Sequence, residues 1–183
     1  MKQVLVLDAN GNPAKKEIIA SVDRIAERLA RSKHNVRYIN ISEKNIRDCI
    51  GCFACWIKTP GRCVLKDDVK ELLRTMVHSD FILFVSDIEL SHYSPAFYGI
   101  LNRMMPLSTA YLKILDDGRT VHESRYGNLG IKFGFLLEGA PCMTAEEVKR
   151  QEEYWSQADA IHFHGLWLAG KNEDEVVREI DNC

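Results

Sequence analysis

Four of the six cysteines fall between positions 49 and 63, as Cys49-Ile50-Gly51-Cys52-Phe53-Ala54-Cys55 and then Cys63 after Trp56-Ile57-Lys58-Thr59-Pro60-Gly61-Arg62. Thiols separated by two residues can wrap one small centre, while Gly51 and the Pro60-Gly61 turn let the backbone approach it and bring the fourth thiol back. Three occupants suit Cys49, Cys52, Cys55 and Cys63: a 4Fe-4S cluster, no metal at all (free or reversibly oxidised thiols), or zinc. Structural zinc sites usually draw their thiolates from two separated knuckles, whereas here three lie in one run. A disulfide framework is disfavoured, because the cytosol keeps thiols reduced and no export signal is evident. Cys142 beside Pro141 and Cys183 at the terminus are assigned no catalytic role. His162 and His164 alternate on one strand face, a spacing two ligands can use, but no third ligand is evident and both are read as core.

The elements that must position these thiols follow from periodicity. Apolar Val4 to Leu7 runs into the turn chemistry of Asp8-Ala9-Asn10-Gly11-Asn12-Pro13, then into a helical pattern at Ile18, Ile19, Val22, Ile25, Ala26 and Leu29. A second strand is predicted at Val36 to Ile41, then the cysteine loop, then a helix capped by Asp67-Asp68 and carrying Val69, Leu72, Leu73 and Met76. Phe81 to Val85 is a continuous apolar run of the kind a doubly covered parallel strand needs, and Pro95 suits the first turn of a helix with Ile100, Leu101 and Met104. Residues 106 to 128 read as an insertion or lid with turns at Asp116-Asp117-Gly118 and Gly127-Asn128. Strands at Ile131 to Leu137 and Ile161 to Leu168 flank a helix over Thr144 to Ala158 opened by the capping-box spacing Thr144-x-x-Glu147, and Glu173 to Ile180 closes the chain as a helix. Five strands alternating with helices predict one α/β domain over residues 1 to 183: a doubly wound parallel sheet with helices on both faces, Val4 to Leu7 central, and ligands outside the carboxyl ends of the strands. Tyr98, Met104, Met105, Leu107, Tyr111 and Leu112 form an apolar stretch suited to core or to an oligomer face.

Composition excludes several classes. The 183 residues are 46% hydrophobic and 27% charged, an ordinary globular balance without a 20-residue apolar run. A net charge of −2 and an isoelectric point near 6.3, with no Lys/Arg stripe, give no attraction to a phosphate polymer, so nucleic acid is not an expected partner. The start, MKQVLVLDANG, is too short in apolar length for a signal-peptide core; no membrane segment is read, and a cytoplasmic location is expected.

The run from Cys49 to Cys63, closed by Lys66-Asp67-Asp68, resembles the segment after the second strand in the NADPH-dependent FMN reductase and iron-sulfur flavoprotein group. Pro95 to Pro106, with Leu101-Asn102-Arg103, is similar to the helix that ends near an aspartate-arginine pair in those proteins, and His122-x-x-Arg125-Tyr126 also matches them. The resemblance spans nearly the whole chain. It implies a flavodoxin-like fold of strand order 2-1-3-4-5, FMN at the carboxyl edge, a homodimer or homotetramer, and electron transfer from NAD(P)H or another reductant to a small-molecule or protein redox partner.

Two loops would then hold FMN. For the phosphate, the turn after strand one offers Asn10, Asn12, Lys15 and backbone amides at a helix start. It contains no Ser or Thr, and Asp8 places a negative charge where a dianion would sit; at an effective dielectric near 20, like charges 4 Å apart repel by about 4 kcal/mol. An ordinary β-to-α turn is the competing reading. For the ring, Ser91, His92, Tyr93 and Ser94 are candidates, with Tyr93 or His92 to stack and Ser94 to donate, although Asp87 and Glu89 replace the expected proline and aromatic. Two functions follow: an FMN-dependent NAD(P)H oxidoreductase or electron-transfer flavoprotein with the cysteine loop as a second redox centre, or a flavodoxin-like binding or electron-carrier partner that has lost tight FMN binding.

Overall fold

The computed structural model describes residues 1–12, 14–89, 92–127, 131–139, 144–157 and 162–183, His162 by its backbone alone. In chain order the elements are β1 (Gln3–Asp8), α1 (Lys16–Arg31), β2 (Asn35–Asn40), α2 (Ala54–Ile57), α3 (Val69–Val77), β3 (Phe81–Glu89) and β4 (His92–Tyr93). There follow α4 (Pro95–Arg103), β5 (Ser108–Ile114), β6 (Thr120–Ser124), β7 (Lys132–Glu138), α5 (Ala145–Ser156), β8 (His162–Leu168) and α6 (Glu173–Asn182). The sheet order is β2-β1-β3-β7-β8, with all four pairings parallel. Counting only those strands, this is the flavodoxin-like order 2-1-3-4-5, with β1 and β3 inside.

Strand alternation sorts the core into two layers. From β1, Leu5 and Leu7 join Val69, Leu72 and Met76 of α3, Phe97 and Ile100 of α4, and Trp155 of α5. Val4 and Val6 of the same strand pack with Ile18, Val22, Ile25 and Leu29 of α1 and with Val176 and Ile180 of α6. Each such fully buried side chain contributes about 1.5–3 kcal/mol of transfer free energy.

The structure revises two expectations and adds detail to a third. Strand three does not end at Val85: it continues through Ser86 and Asp87, paired with Leu137 and Glu138 of β7, and then turns back so that Ile88 and Glu89 pair antiparallel with Tyr93 and His92 of β4. What reads in sequence as an open loop is therefore largely a hairpin. Asp68 stands at the N-cap of α3 but makes no side-chain cap there; its carboxylate accepts from the Asn45 amide at 2.8 Å, while Asp67 accepts from the Val69 amide at 3.3 Å. The stretch read as an insertion or lid carries the two-stranded antiparallel sheet β5-β6, outside the parallel sheet.

Candidate functional site at the carboxyl edge

In a parallel sheet every strand-to-helix connection leaves from the carboxyl edge. The β1–α1 turn, the β3–β4 hairpin and the cysteine loop between β2 and α3 therefore share one rim.

Carboxylates of the chain itself occupy the β1–α1 turn. The Gly11 amide donates to Asp87 Oδ1 at 2.8 Å, the Ile18 amide in the first turn of α1 donates to Glu138 Oε2 at 2.7 Å, and the Asn10 amide donates to Asp8 Oδ1 at 2.9 Å. Asp8 also accepts from the Tyr38 hydroxyl at 2.5 Å. Burial first, and that bond second, push the Tyr38 phenol well above its ordinary pKa. The predicted donors serve the turn too: Asn10 Oδ1 accepts from the Asn12 amide, Asn12 Oδ1 from the Ala14 amide, and Asn12 Nδ2 reaches Glu89 at 3.4 Å. Lys15 sits at the N-cap of α1, its amide donating to Asn12 O. A helix N-terminus favours anions; here Glu138 supplies one to the first turn of α1, and Asp87 takes an amide of the turn before it. The residues present do not fit a phosphate dianion on these amides.

The ring candidates are dispersed by the same rim. His92 is exposed on β4, and Ser91 lies outside the described residues. Tyr93 points into the core instead of lying open to a ring: it stacks on Phe97 at 4.5 Å, donates to Gln151 at 2.9 Å and accepts from Trp155 Nε1 at 2.8 Å. Burial chiefly pushes its phenol up to about 12. Ser94 is buried as the N-cap of α4, accepting from the Phe97 amide at 3.1 Å and donating to Ala9 O. Of the histidines, His164 lies edge-on to Phe81 at 6.0 Å, in keeping with a packed residue.

The cysteine loop turns tightly between β2 and α3. Its backbone turns through left-handed conformations at Gly51 (φ 65°) and Phe53 (φ 52°), and an αL non-glycine residue costs about 1–2 kcal/mol. Cys49 and Cys52 are exposed, Cys63 is half-buried, and Cys55 is buried on α2. These four and Cys183 are all free thiols. Burial chiefly raises the Cys55 thiol, and the neighbouring Cys63, Cys49 and Cys52 raise it further. Among the described residues, no three His, Cys, Asp or Glu side chains stand in ligand geometry for a metal ion.

Two clamps close the loop. Arg103 at the end of α4 binds Asp67 through Nη1 at 2.8 Å and Nη2 at 2.9 Å, donates to Arg47 O, and reaches Cys63 Sγ from Nη2 at 3.4 Å. Its Nε is buried and unpartnered. Burial disfavours the Asp67 carboxylate, but the Arg103 and Arg47 hydrogen bonds outweigh it and lower its pKa. The second clamp is Trp56, whose indole donates to Met105 O at 2.9 Å while its ring lies 4.6 Å from His122 of β6. Gly61 adopts φ 77° against Arg125, where a Cβ would come within 2.8 Å of Cδ. The donor chemistry is that of a thiolate-held cluster, four free thiols on one loop with a guanidinium donating to one of them, while their arrangement is not that of a closed metal site.

Comparison with known proteins agrees with this architecture, and the class it defines is a flavodoxin-like α/β protein. The chain superposes on an NAD(P)H:quinone oxidoreductase from Methanothermobacter marburgensis (TM-score 0.65, 15% identity, 98% of this chain and 93% of that one). It also superposes on an FMN-dependent NADH-azoreductase from Bacillus anthracis in complex with FMN (TM-score 0.58, 10% identity, 98% and 93%). More particularly, the sequence is similar to iron-sulfur flavoproteins: 32% identical over 107 residues to one from Archaeoglobus fulgidus (58% of this chain, 46% of the relative). One from Methanocaldococcus jannaschii is 29% identical over 83 residues (45% of this chain and 42% of the relative). The chain thus spans less than half the length of the curated relatives it matches. No family model matches.

Proposed function

We propose that this chain is an NAD(P)H-dependent flavin oxidoreductase or electron-transfer flavoprotein of the iron-sulfur flavoprotein kind. It acts in the cytoplasm as a homodimer or homotetramer, and Cys49, Cys52, Cys55 and Cys63 hold a 4Fe-4S cluster. The observation that carries the reading is the four-thiol loop clamped at the carboxyl edge of a flavodoxin-like sheet, in a chain similar to proteins named for both a flavin and an iron-sulfur centre. Those names favour the redox reading over a binding module. No described helix is long and apolar enough to cross a membrane.

When bound, the flavin would supply hydride acceptance and the cluster one-electron transfer. The chain's own residues position and shield. Arg103 holds Cys63 against α4, and its positive charge offsets the negative charge that gathers when the four thiols ionise. Trp56 pins α2, which carries the buried Cys55, to Met105 and to His122 of β6. Catalysis here needs no side-chain acid or base. The test is anaerobic titration of the purified chain with NADPH and NADH: bleaching of a bound flavin band supports the reading, and a protein that carries flavin yet is reduced by neither nucleotide contradicts the NAD(P)H assignment.

A further inference from the structure

The β1–α1 turn already has its anions, and they come from three strands. Asp87 from β3, Glu138 from the end of β7 and Asp8 from the end of β1 each accept a backbone amide of this turn or of the first turn of α1, at 2.8, 2.7 and 2.9 Å. Register explains the arrangement: Asp87 and Glu138 are paired neighbours on β3 and β7, and Asp8 pairs with Val85 two residues earlier on β3. The strand ends thus deliver two carboxylates to the β1–α1 turn and a third to the first turn of α1. Asp8 and Asp87 are both buried, so water screens them poorly.

A phosphate dianion placed here must displace at least two carboxylates from their amides, then share the rim with the charges it displaced. A neutral ribityl end meets neither cost. We infer that this rim selects flavin without its phosphate: the isoalloxazine-ribityl class, represented by riboflavin, binds in preference to FMN. This inference rests on the flavin reading above and specifies which form of the flavin the chain takes. Asp87 and Glu138 set the preference; neither touches the thiols.

The full chain, stripped of any co-purified flavin, is titrated separately with riboflavin and with FMN, following quenching of flavin fluorescence. FMN is expected to bind at least tenfold more weakly than riboflavin. Asp87→Asn and Glu138→Gln keep an oxygen for each amide but remove a charge, and each should narrow that gap at least threefold with riboflavin affinity held within twofold; circular dichroism checks their folding. FMN binding as tightly as riboflavin, or a gap that neither substitution narrows, overturns the inference and leaves the flavin reading standing. Binding of neither flavin overturns both.

Discussion

Arg103 and Asp67 form a forked pair, Nη1 to Oδ2 at 2.8 Å and Nη2 to Oδ1 at 2.9 Å, with side chains only 1% and 0% exposed. The pair ties the end of α4 to the start of α3, and through Arg47 and Cys63 to both ends of the cysteine loop. Removing one partner of such a buried pair leaves an uncompensated charge, which costs about 3–5 kcal/mol. Arg103→Met should therefore lower unfolding free energy by that amount in urea, and Asp67→Asn on top should add less than its effect alone. A loss under about 1 kcal/mol for Arg103→Met would mean that the pair does not close the loop.

A second ion pair sets an acid limit on the opposite helical layer. Glu173 at the start of α6 accepts from Arg24 Nη2 at 2.6 Å and Ser21 Oγ at 2.8 Å. Burial alone would raise its carboxyl, but these hydrogen bonds prevail and hold it at about 2, below the ordinary 4.5. Because the folded value lies below the unfolded one, the stabilisation is complete above pH 4.5 and is lost as pH falls towards 2. Chemical denaturation across that window should show a shallower acid slope for Glu173→Gln than for the parent; identical slopes would remove Glu173 from the account.

Gly61 tests the contact between the cysteine loop and the hairpin. Its φ of 77° and its 2.8 Å clearance to Arg125 leave no room for a methyl group without movement. Gly61→Ala should cost about 1–2 kcal/mol from the left-handed backbone alone, seen as a lower thermal midpoint. An unchanged midpoint would show that this turn relaxes freely.

Cys52 is exposed, so Cys52→Ser should leave urea stability within about 0.5 kcal/mol of the parent. If four thiolates hold a cluster, the same change opens one iron to solvent and oxygen. Anaerobically reconstituted Cys52→Ser should then retain far less iron than the parent. Equal retention would exclude Cys52 as a ligand.

The fold was legible because β1 and β3 are continuous apolar runs and the helices between them keep a clean 3.6-residue period, so Val4 to Leu7 could be placed inside the sheet from sequence, although the central place expected for it belongs to β3. The clustering of the four cysteines was equally plain. The rim was harder to read, because its partners are distant in sequence. Glu138 lies 120 positions from Ile18 and Asp87 lies 76 from Gly11, and only strand register brings them together. Asp8 was recognised as hostile to a phosphate, yet the amides themselves are taken chiefly by carboxylates from other strands. Tyr93 looked like a ring partner by type, but the β3–β4 reversal turns it towards Phe97 and Trp155; the short antiparallel return after Glu89 carries no periodic signal.

Iron, zinc and flavin assayed on one sample of the full chain, purified and reconstituted without oxygen, with its visible spectrum recorded before and after dithionite, decide whether the protein is an iron-sulfur flavoprotein. About four iron atoms per chain, negligible zinc, bound flavin and a broad absorbance that bleaches on reduction are expected on that assignment. A colourless protein with neither iron nor flavin after careful reconstitution would contradict it.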